Sequence, residues 1–205
     1  SRLRSVRNWL VCRNIGAYSD VRLACSRAAG DFLFGRGRYE ELPNAIDVET
    51  YRFKEPVRTD VRARLGLGDT PVVGHVGRFS EQKNHRFLID VYTELARLRP
   101  EARLMLIGDG PLRPGIEEIV AERGLTDRVL FLGDRGDVAA LYQAMDMFLL
   151  PSFYEGLPMV GVEAQCAGLP LVCSKEVTDE VAIGEATFLS LEKPARQWAH
   201  HVSQA

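Results

Sequence analysis

The sequence lacks the features that define several specialised classes of protein. Only four cysteines occur in 205 residues and no two form a Cys-x-x-Cys pair, so neither a disulfide scaffold nor a thiolate metal cluster is predicted. The apolar stretch from Leu157 to Cys173 is interrupted by two prolines and two polar side chains, so it does not predict a membrane span. We therefore expect reduced thiols and a cytoplasmic protein.

Charge is nearly balanced overall but unevenly placed. The formal net charge of −2 is too small for nucleic-acid binding driven by bulk charge, and the arginines are not interleaved with aromatic residues. No nucleic-acid partner is expected. Residues 1–38 carry a net charge of +6, which leaves −8 for the rest of the chain. This basic segment is interpreted either as solvated arginines on a helix or as a surface for a partner.

A change of pattern near residue 40 predicts two domains. Glycines at 35 and 37, followed by Leu42-Pro43-Asn44, interrupt the periodic segments, so we place a boundary near 38–44. The predicted domains are 1–40 and 41–205. The elements predicted before residue 71 are a helix over 3–16, a strand over Val21–Cys25, a helix from its cap Ser26 to Phe34, and a helix capped by Thr59 or Asp60 that ends at Gly66.

From residue 71 onward, short apolar strands alternate with longer helical segments. This alternation is typical of a mostly parallel sheet covered by helices on both faces. Since crossovers are right-handed, we predict an α/β, doubly wound, Rossmann-like domain whose ligand lies at the carboxyl ends of the strands. The predicted strands are Val72–Val76, Arg103–Ile107, Val129–Leu132, Met147–Leu150, Leu169–Cys173 and 187–189, and the predicted helices are 82–98, 112–124, 137–144, 158–167 and one from about Pro194.

The loop after the first of these strands carries two cations. Arg78 and Lys83 lie near the end of a strand and the start of a helix, where they suit a diphosphate, and Gly77 permits close approach of the backbone. The alternative is that both cations are solvated. The loop matches neither G-x-G-x-x-G nor the P-loop, so it lacks the fingerprint of either nucleotide-binding class. His75 is interpreted either as packed in the core or as lining the pocket.

A second loop, over 151–158, precedes a helix that opens at Pro158. The free amides at such a helix start favour an anion. Glu155 precedes the helix and Glu163 lies roughly 7 Å along it, so the two do not predict the close carboxylate pair of a retaining glycosidase. They are instead candidates to accept hydrogen bonds from sugar hydroxyls. The alternative for Glu163 is an exposed helix residue.

Several motifs, in order and spacing, resemble those of the retaining family-4 glycosyltransferases of GT-B fold. EGLPMVGVE at 155–163 resembles the family signature of two glutamates separated by seven residues, and GHVGRFSEQKN at 74–84 resembles its diphosphate-binding loop. LPNAID at 42–47 resembles the segment that opens its second domain. The similarity covers about 40–205 and is greatest to the bacterial exopolysaccharide and capsule subgroup. Three further matches are LMLIGDGPL, VLFLGDRGDV and GLPLVCS.

The resemblance implies a site for a nucleotide-diphosphate sugar, with uridine as the favoured base. Arg78 and Lys83 would bind the diphosphate without a metal ion, since no Asp-x-Asp motif is present, and no cofactor is expected. Glu155 would contact the transferred sugar and complete the catalytic group, and Glu163 would bind the ribose hydroxyls. The other implied contacts are the amides of Gly156, Leu157 and Met159 toward sugar and phosphate, Arg135 and Gly136 toward the base, and Gly77, Gly108 and Gly110 on the nucleotide side.

The same resemblance implies an activity and a missing partner domain. A hexose would pass, with retention, to a saccharide or lipid-linked saccharide acceptor in exopolysaccharide or capsule biosynthesis, and residues 1–13 would touch anionic lipid at the inner face of the cell membrane. Residues 1–40 would be the remnant of an acceptor domain, so the chain alone is expected to bind nucleotide without transferring sugar. Two alternatives stay open: a nucleotide-sugar-binding module without transfer activity, and a GT-B nucleotide-sugar epimerase.

Overall fold

A computed structural model describes residues 18–204 of the chain. The helix predicted over 3–16 and the membrane contact predicted for residues 1–13 lie outside the described residues. The chain divides into two compact units, with the division between Ile46 and Asp47. That the first unit is the remnant of an acceptor domain stays a prediction.

The first unit contains a helix between two short parallel strands: β1 (Leu23–Ala24), α1 (Arg27–Phe34) and β2 (Glu40–Glu41). The Ser26 side chain accepts a hydrogen bond from the Ala29 amide at 3.2 Å, so the predicted cap is confirmed. The predicted strand Val21–Cys25 is too long, because only two of its residues pair with β2.

The second unit is a six-stranded parallel sheet with helices on both faces, which confirms the predicted α/β architecture. The strand order is β5-β4-β3-β6-β7-β8, so the order reverses direction between β3 and β6. The helices and strands are α2 (Val48–Tyr51), α3 (Glu55–Arg64), β3 (Val72–Val76), α4 (His85–Leu98), β4 (Arg103–Ile107), α5 (Arg113–Glu122), β5 (Val129–Phe131), α6 (Val138–Gln143), β6 (Met147–Leu150), α7 (Met159–Cys166), β7 (Leu171–Ser174), β8 (Ala186–Leu189) and α8 (Ala195–Gln204), with single 3-10 turns at Glu81–Lys83, Thr126–Arg128 and Asp179–Val181.

Alternate residues of each central strand pack into two separate cores. Leu104 and Leu106 of β4 point to the face covered by α4, α5 and α8, whereas Met105 and Ile107 point to the face covered by α3, α6 and α7. All four side chains are fully buried. Because successive strand residues point to opposite faces, a strand covered on both sides must be apolar throughout, and this explains the unbroken apolar runs in the sequence.

Two predicted helix boundaries are wrong. The helix before β3 begins at Glu55 rather than at Thr59 or Asp60, because a proline in its first turn supports an earlier start. The predicted helix 82–98 is divided into a 3-10 turn and α4 by Asn84, which adopts a left-handed backbone with φ of 54°. The amide of the Asn84 side chain donates to the carbonyl oxygen of Pro151 at 3.1 Å.

A buried arginine joins α3 to the amino-terminal edge of the sheet. The Arg62 guanidinium is buried and donates to the carbonyl oxygens of Gly68 at 2.7 Å, Ala144 at 2.8 Å and Thr70, and it also pairs with Asp146. The Asp146 carboxylate in turn accepts from the first amide of β3, that of Val72, at 2.7 Å. This network lies at the edge of the sheet opposite the strand ends where a ligand is expected.

We predict that Arg62→Met lowers the free energy of unfolding by about 3 kcal/mol, since it leaves the carbonyl oxygens of Gly68, Thr70 and Ala144 without their donor. Urea denaturation measures the change. The matched control is Arg64→Met, which removes an exposed pair with Asp60 at 3.0 Å and should cost less than about 1 kcal/mol. Equal effects of the two substitutions would contradict the role given to Arg62.

Candidate active site

The reversal of strand order brings the two predicted loops together. The 77–84 loop follows β3 and the 151–158 loop follows β6, and these strands are hydrogen-bonded neighbours in the sheet. The Phe153 amide donates to the carbonyl oxygen of Gln82 at 2.8 Å, and the contact from Asn84 to Pro151 adds a second link. Ligands of open α/β sheets bind where the order reverses, so the two loops form one candidate site.

Lys83 and Glu155 form an almost completely buried ion pair at this point. The distance from Lys83 Nζ to Glu155 Oε1 is 2.7 Å, and their side chains are 15% and 9% exposed. Ser152 Oγ donates to the same carboxylate oxygen at 2.8 Å, and Gln82 Nε2 donates to Oε2 at 3.1 Å. Three of the four lone-pair positions of the carboxylate are thus filled, which leaves one on Oε2.

A cleft of about 540 Å³ opens at the carboxyl ends of β3 and β4 and against the 133–137 loop. Its volume is within the ordinary range for a small-molecule site. Five predicted residues line it: Gly77, Arg78, Gly108, Gly110 and Arg135. The other lining residues are Val76, Ile107, Asp109, Asp134 and Val138.

Gly108 is required for the shape of this cleft. Its φ of +123° is a conformation that residues with a side chain rarely adopt, and a Cβ at this position would overlap the carbonyl oxygen of Gly77. The Gly77 amide donates to the Ile107 carbonyl oxygen at 2.9 Å, which continues the strand pairing to the edge of the site. The loops after β3 and β4 therefore approach backbone to backbone.

Arg78 is an exposed cation in the lining of this cleft. Among residues 18–204 its guanidinium makes no hydrogen bond and no ion pair, and the side chain is exposed. Arg135 instead forms two hydrogen bonds of 2.7 Å with Asp137, which raise the pKa of Arg135 and lower the pKa of Asp137. Arg78 can therefore bind an anion without first leaving another partner within the described part of the chain.

Glu163 is not one of the residues that line this cleft. Its Oε2 accepts a hydrogen bond at 3.0 Å from the hydroxyl of Tyr142, a fully buried residue of α6. Burial and the neighbouring Glu163 charge raise the pKa of Tyr142, so its hydroxyl stays protonated and remains a donor. The structure thus brings Glu163 to Tyr142 rather than to Glu155. Six other predicted site residues are also outside the cleft lining: Lys83, Glu155, Gly136, Gly156, Leu157 and Met159.

Ser152, Gln82 and Tyr142 are polar contacts that sequence reasoning missed. Ser152 and Tyr142 are buried, and each makes a hydrogen bond to one of the two signature glutamates. Ser152 and Gln82 could have been found from their position in the sequence, because they lie within the two loops already identified. Nothing in a single sequence distinguishes such residues from ordinary turn or helix side chains.

No three His, Cys, Asp or Glu side chains within residues 18–204 converge to form a metal centre. In the same residues, no helix combines the length and apolar character that crossing a bilayer requires.

His75 is packed in the interior, so of its two interpretations the packed one is correct. Its Nδ1 lies 2.8 Å from the Leu149 carbonyl oxygen, and its ring lies edge-on to His85 with centroids 4.8 Å apart. His85 stacks on Phe79 with centroids 4.0 Å apart. Burial places the pKa of His75 well below its ordinary value, and burial together with the nearby Lys83 charge lowers the pKa of His85 from 6.5 to about 4.

This lowered pKa predicts a loss of stability in mild acid. The unfolded chain binds more protons than the folded protein between pH 6.5 and about pH 4, so the free energy of unfolding falls as the pH falls through that window. From pH 7 to pH 5, His85 contributes a loss of about 2 kcal/mol. Urea denaturation across this range should show a shallower pH dependence for His85→Phe. The exposed His200 provides the control: if His200→Asn flattens the profile as much, His85 is not the cause.

The fold is that of a Rossmann-like domain of the GT-B class, with the candidate site at the reversal of strand order. Residues 70–205 match the sequence family described as "Glycosyl transferases group 1". The chain belongs to this family.

Relatives of known name agree with this assignment. The chain is 39% identical over 201 residues to EpsF of Bacillus subtilis. This match covers 94% of this chain and 52% of EpsF. It is 30% identical over 171 residues to the 2-deoxystreptamine glucosyltransferase of Streptomyces kanamyceticus, covering 82% of this chain and 44% of that protein. The chain therefore spans about half the length of the relatives it matches.

Among solved structures, the fold is similar to that of HepE from Anabaena in complex with UDP and glucose. The TM-score is 0.83 at 22% sequence identity, and the match covers 95% of this chain and 55% of HepE.

Proposed function

We propose that the protein containing this chain transfers a hexose from a nucleotide-diphosphate sugar to a saccharide acceptor, with retention of anomeric configuration. The observation that carries the proposal is the pair of cations at the reversal of strand order: Arg78, open in the cleft, and Lys83, buried beside it behind Gly77. A diphosphate carries two negative groups, and two cations of different geometry can bind both of them.

The residues have separate roles in this proposal. Arg78 and Lys83 bind the diphosphate and stabilise the negative charge that develops as the bond from sugar to phosphate breaks, which needs no metal ion. Glu155 offers its open lone pair on Oε2 to a hydroxyl of the transferred sugar. Glu163, held by Tyr142, binds the ribose hydroxyls. Further contacts come from Arg135 and Gly136 to the base and from the amides of Gly156, Leu157 and Met159 to sugar and phosphate.

Uridine is the base we propose, because HepE, which shares this fold, was solved with UDP and glucose. The acceptor is a saccharide or a lipid-linked saccharide of an exopolysaccharide or capsule, a choice supported by the GHVGRF and QKNH motifs. The protein would work in the cytoplasm, with residues 1–13 touching anionic lipid at the inner face of the membrane.

We predict that this chain binds UDP and that Arg78→Ala weakens binding by about 10- to 100-fold, the effect of losing a charge-assisted hydrogen-bonding group. Isothermal titration calorimetry measures the dissociation constant. EDTA should leave the wild-type value unchanged, since cations of the protein replace a metal ion. The control is Arg196→Ala, which removes an exposed arginine of α8 and should leave the affinity unchanged. Equal affinities for all three proteins would contradict the proposed site.

We also predict that this chain transfers no sugar by itself. The chain spans about half the length of these relatives, and in our proposal a separate domain binds the acceptor. Incubation with a radiolabelled UDP-hexose and a saccharide acceptor should give no labelled product, whereas the whole protein should give one. Transfer by the chain alone would refute the prediction. Release of free hexose by the whole protein without an acceptor would instead favour chemistry other than transfer.

A further inference from the structure

Two buried serines connect β7 to the Lys83–Glu155 pair by hydrogen bonds. Ser174, the last residue of β7, donates from Oγ to the Ser152 carbonyl oxygen at 2.5 Å, and Ser152 donates from Oγ to Glu155 Oε1 at 2.8 Å. Both serines are completely buried. A buried hydroxyl is costly unless it is hydrogen-bonded, so these two side chains are fixed in the bonds described.

The Glu155 carboxylate therefore has donors on both sides of its bond to Lys83. Ser152 shares Oε1 with Lys83, and Gln82 donates to Oε2. The same Gln82 amide group also donates to the Tyr154 carbonyl oxygen at 3.0 Å, which anchors it to the loop. If the Lys83 ammonium turned away, the carboxylate would still have two neutral donors.

We propose that Ser152 is a positioning residue for diphosphate binding, with Ser174 holding it in place. This inference rests on the proposed function. Lys83 donates one of its three N–H groups to Glu155 at 2.7 Å, and a phosphate bound by the others draws the ammonium charge away from a carboxylate that is only 9% exposed. An unpaired buried carboxylate is costly, and each remaining hydrogen bond lowers that cost. Ser152 thus makes Lys83 available to the ligand, because it stabilises the carboxylate as the ammonium shifts toward the phosphate.

A residue that acts in this way affects the binding of the diphosphate part of a ligand and not the binding of its nucleoside part. Uridine occupies the nucleoside part of the proposed site and has no group for Lys83 to bind. Loss of the Ser152 hydroxyl should therefore weaken UDP binding and leave uridine binding unchanged. A serine that merely maintained the fold would alter both affinities together.

The test compares UDP with uridine for this chain by calorimetry. We expect Ser152→Ala to weaken UDP binding by about 10-fold and uridine binding by less than about twofold, the size of effect given by one hydrogen bond to a charged group. Ser174→Ala should act in the same direction by a smaller factor. Ser203→Ala is the matched control, because Ser203 also donates from Oγ to a backbone carbonyl oxygen, that of His200, but on α8.

A double substitution tests whether Ser152 acts through Lys83. In a Lys83→Met background, Ser152→Ala should change UDP affinity by less than about twofold, since the ammonium that depended on it is gone. Should Ser152→Ala fail to fold, Gln82→Met removes the other donor from the carboxylate and carries the same expectation.

Three results would overturn the inference: equal weakening of UDP and uridine, no change in UDP binding, or an undiminished effect in the Lys83→Met background. Absence of UDP binding by the wild-type chain would refute the proposed function as well, so the two failures are distinguishable.

Discussion

The reversal of strand order between β3 and β6 is the constraint on which the rest of the site depends. Because all six strands are parallel, their carboxyl ends meet at one edge, and the two central strands place their following loops side by side there. Hydrogen bonds between the 77–84 and 151–158 loops then fix their separation. The contact of Lys83 with Glu155, 72 residues apart in sequence, is a direct consequence.

The two cations predicted to act together are in different electrostatic situations. Lys83 is already committed to a carboxylate that other donors also bind, whereas Arg78 is exposed and makes no ion pair within residues 18–204. A diphosphate could therefore pair with Arg78 directly, whereas at Lys83 it would share the ammonium with Glu155. Arg78 is thus accessible to an anion, whereas the availability of Lys83 depends on the hydrogen bonds made to Glu155. Two other charged groups of the cleft have partners of their own: Arg135 pairs with Asp137, and Asp109 pairs with Arg113.

The sheet could be predicted from the sequence because buried parallel strands must be apolar along their whole length, and β4 and β6 were placed at their observed limits. The boundaries that failed depend on tertiary contacts. Asn84 breaks a well-formed helical pattern because its side chain binds Pro151, and no local signal records that bond. The short β1 ends where its partner ends.

The loops that form the candidate site could be predicted from the sequence, but the side-chain hydrogen bonds within it could not. Gly77, Arg78, Gly108, Gly110 and Arg135 do line one cleft. The contacts that hold the two glutamates, from Ser152, Gln82 and Tyr142, join segments far apart in the chain or depend on burial. Spacing along a sequence does not determine such contacts. The rise of a helix predicts that Glu155 and Glu163 do not form a close pair, whereas the partner of each glutamate, Lys83 or Tyr142, could not be predicted.

Asn84 shows how narrowly a single position can be restricted over evolutionary time. Its backbone needs a left-handed conformation, and its side chain must supply an amide hydrogen to Pro151. Glycine adopts the left-handed conformation but has no side-chain amide. Glutamine has the amide but adopts this conformation less readily than asparagine, and aspartate has no hydrogen to donate at neutral pH. A lineage that replaced Asn84 with glycine would keep the turn but would need another tie between the two loops. Substitutions at this position should therefore be accompanied by compensating changes in the segment around Pro151.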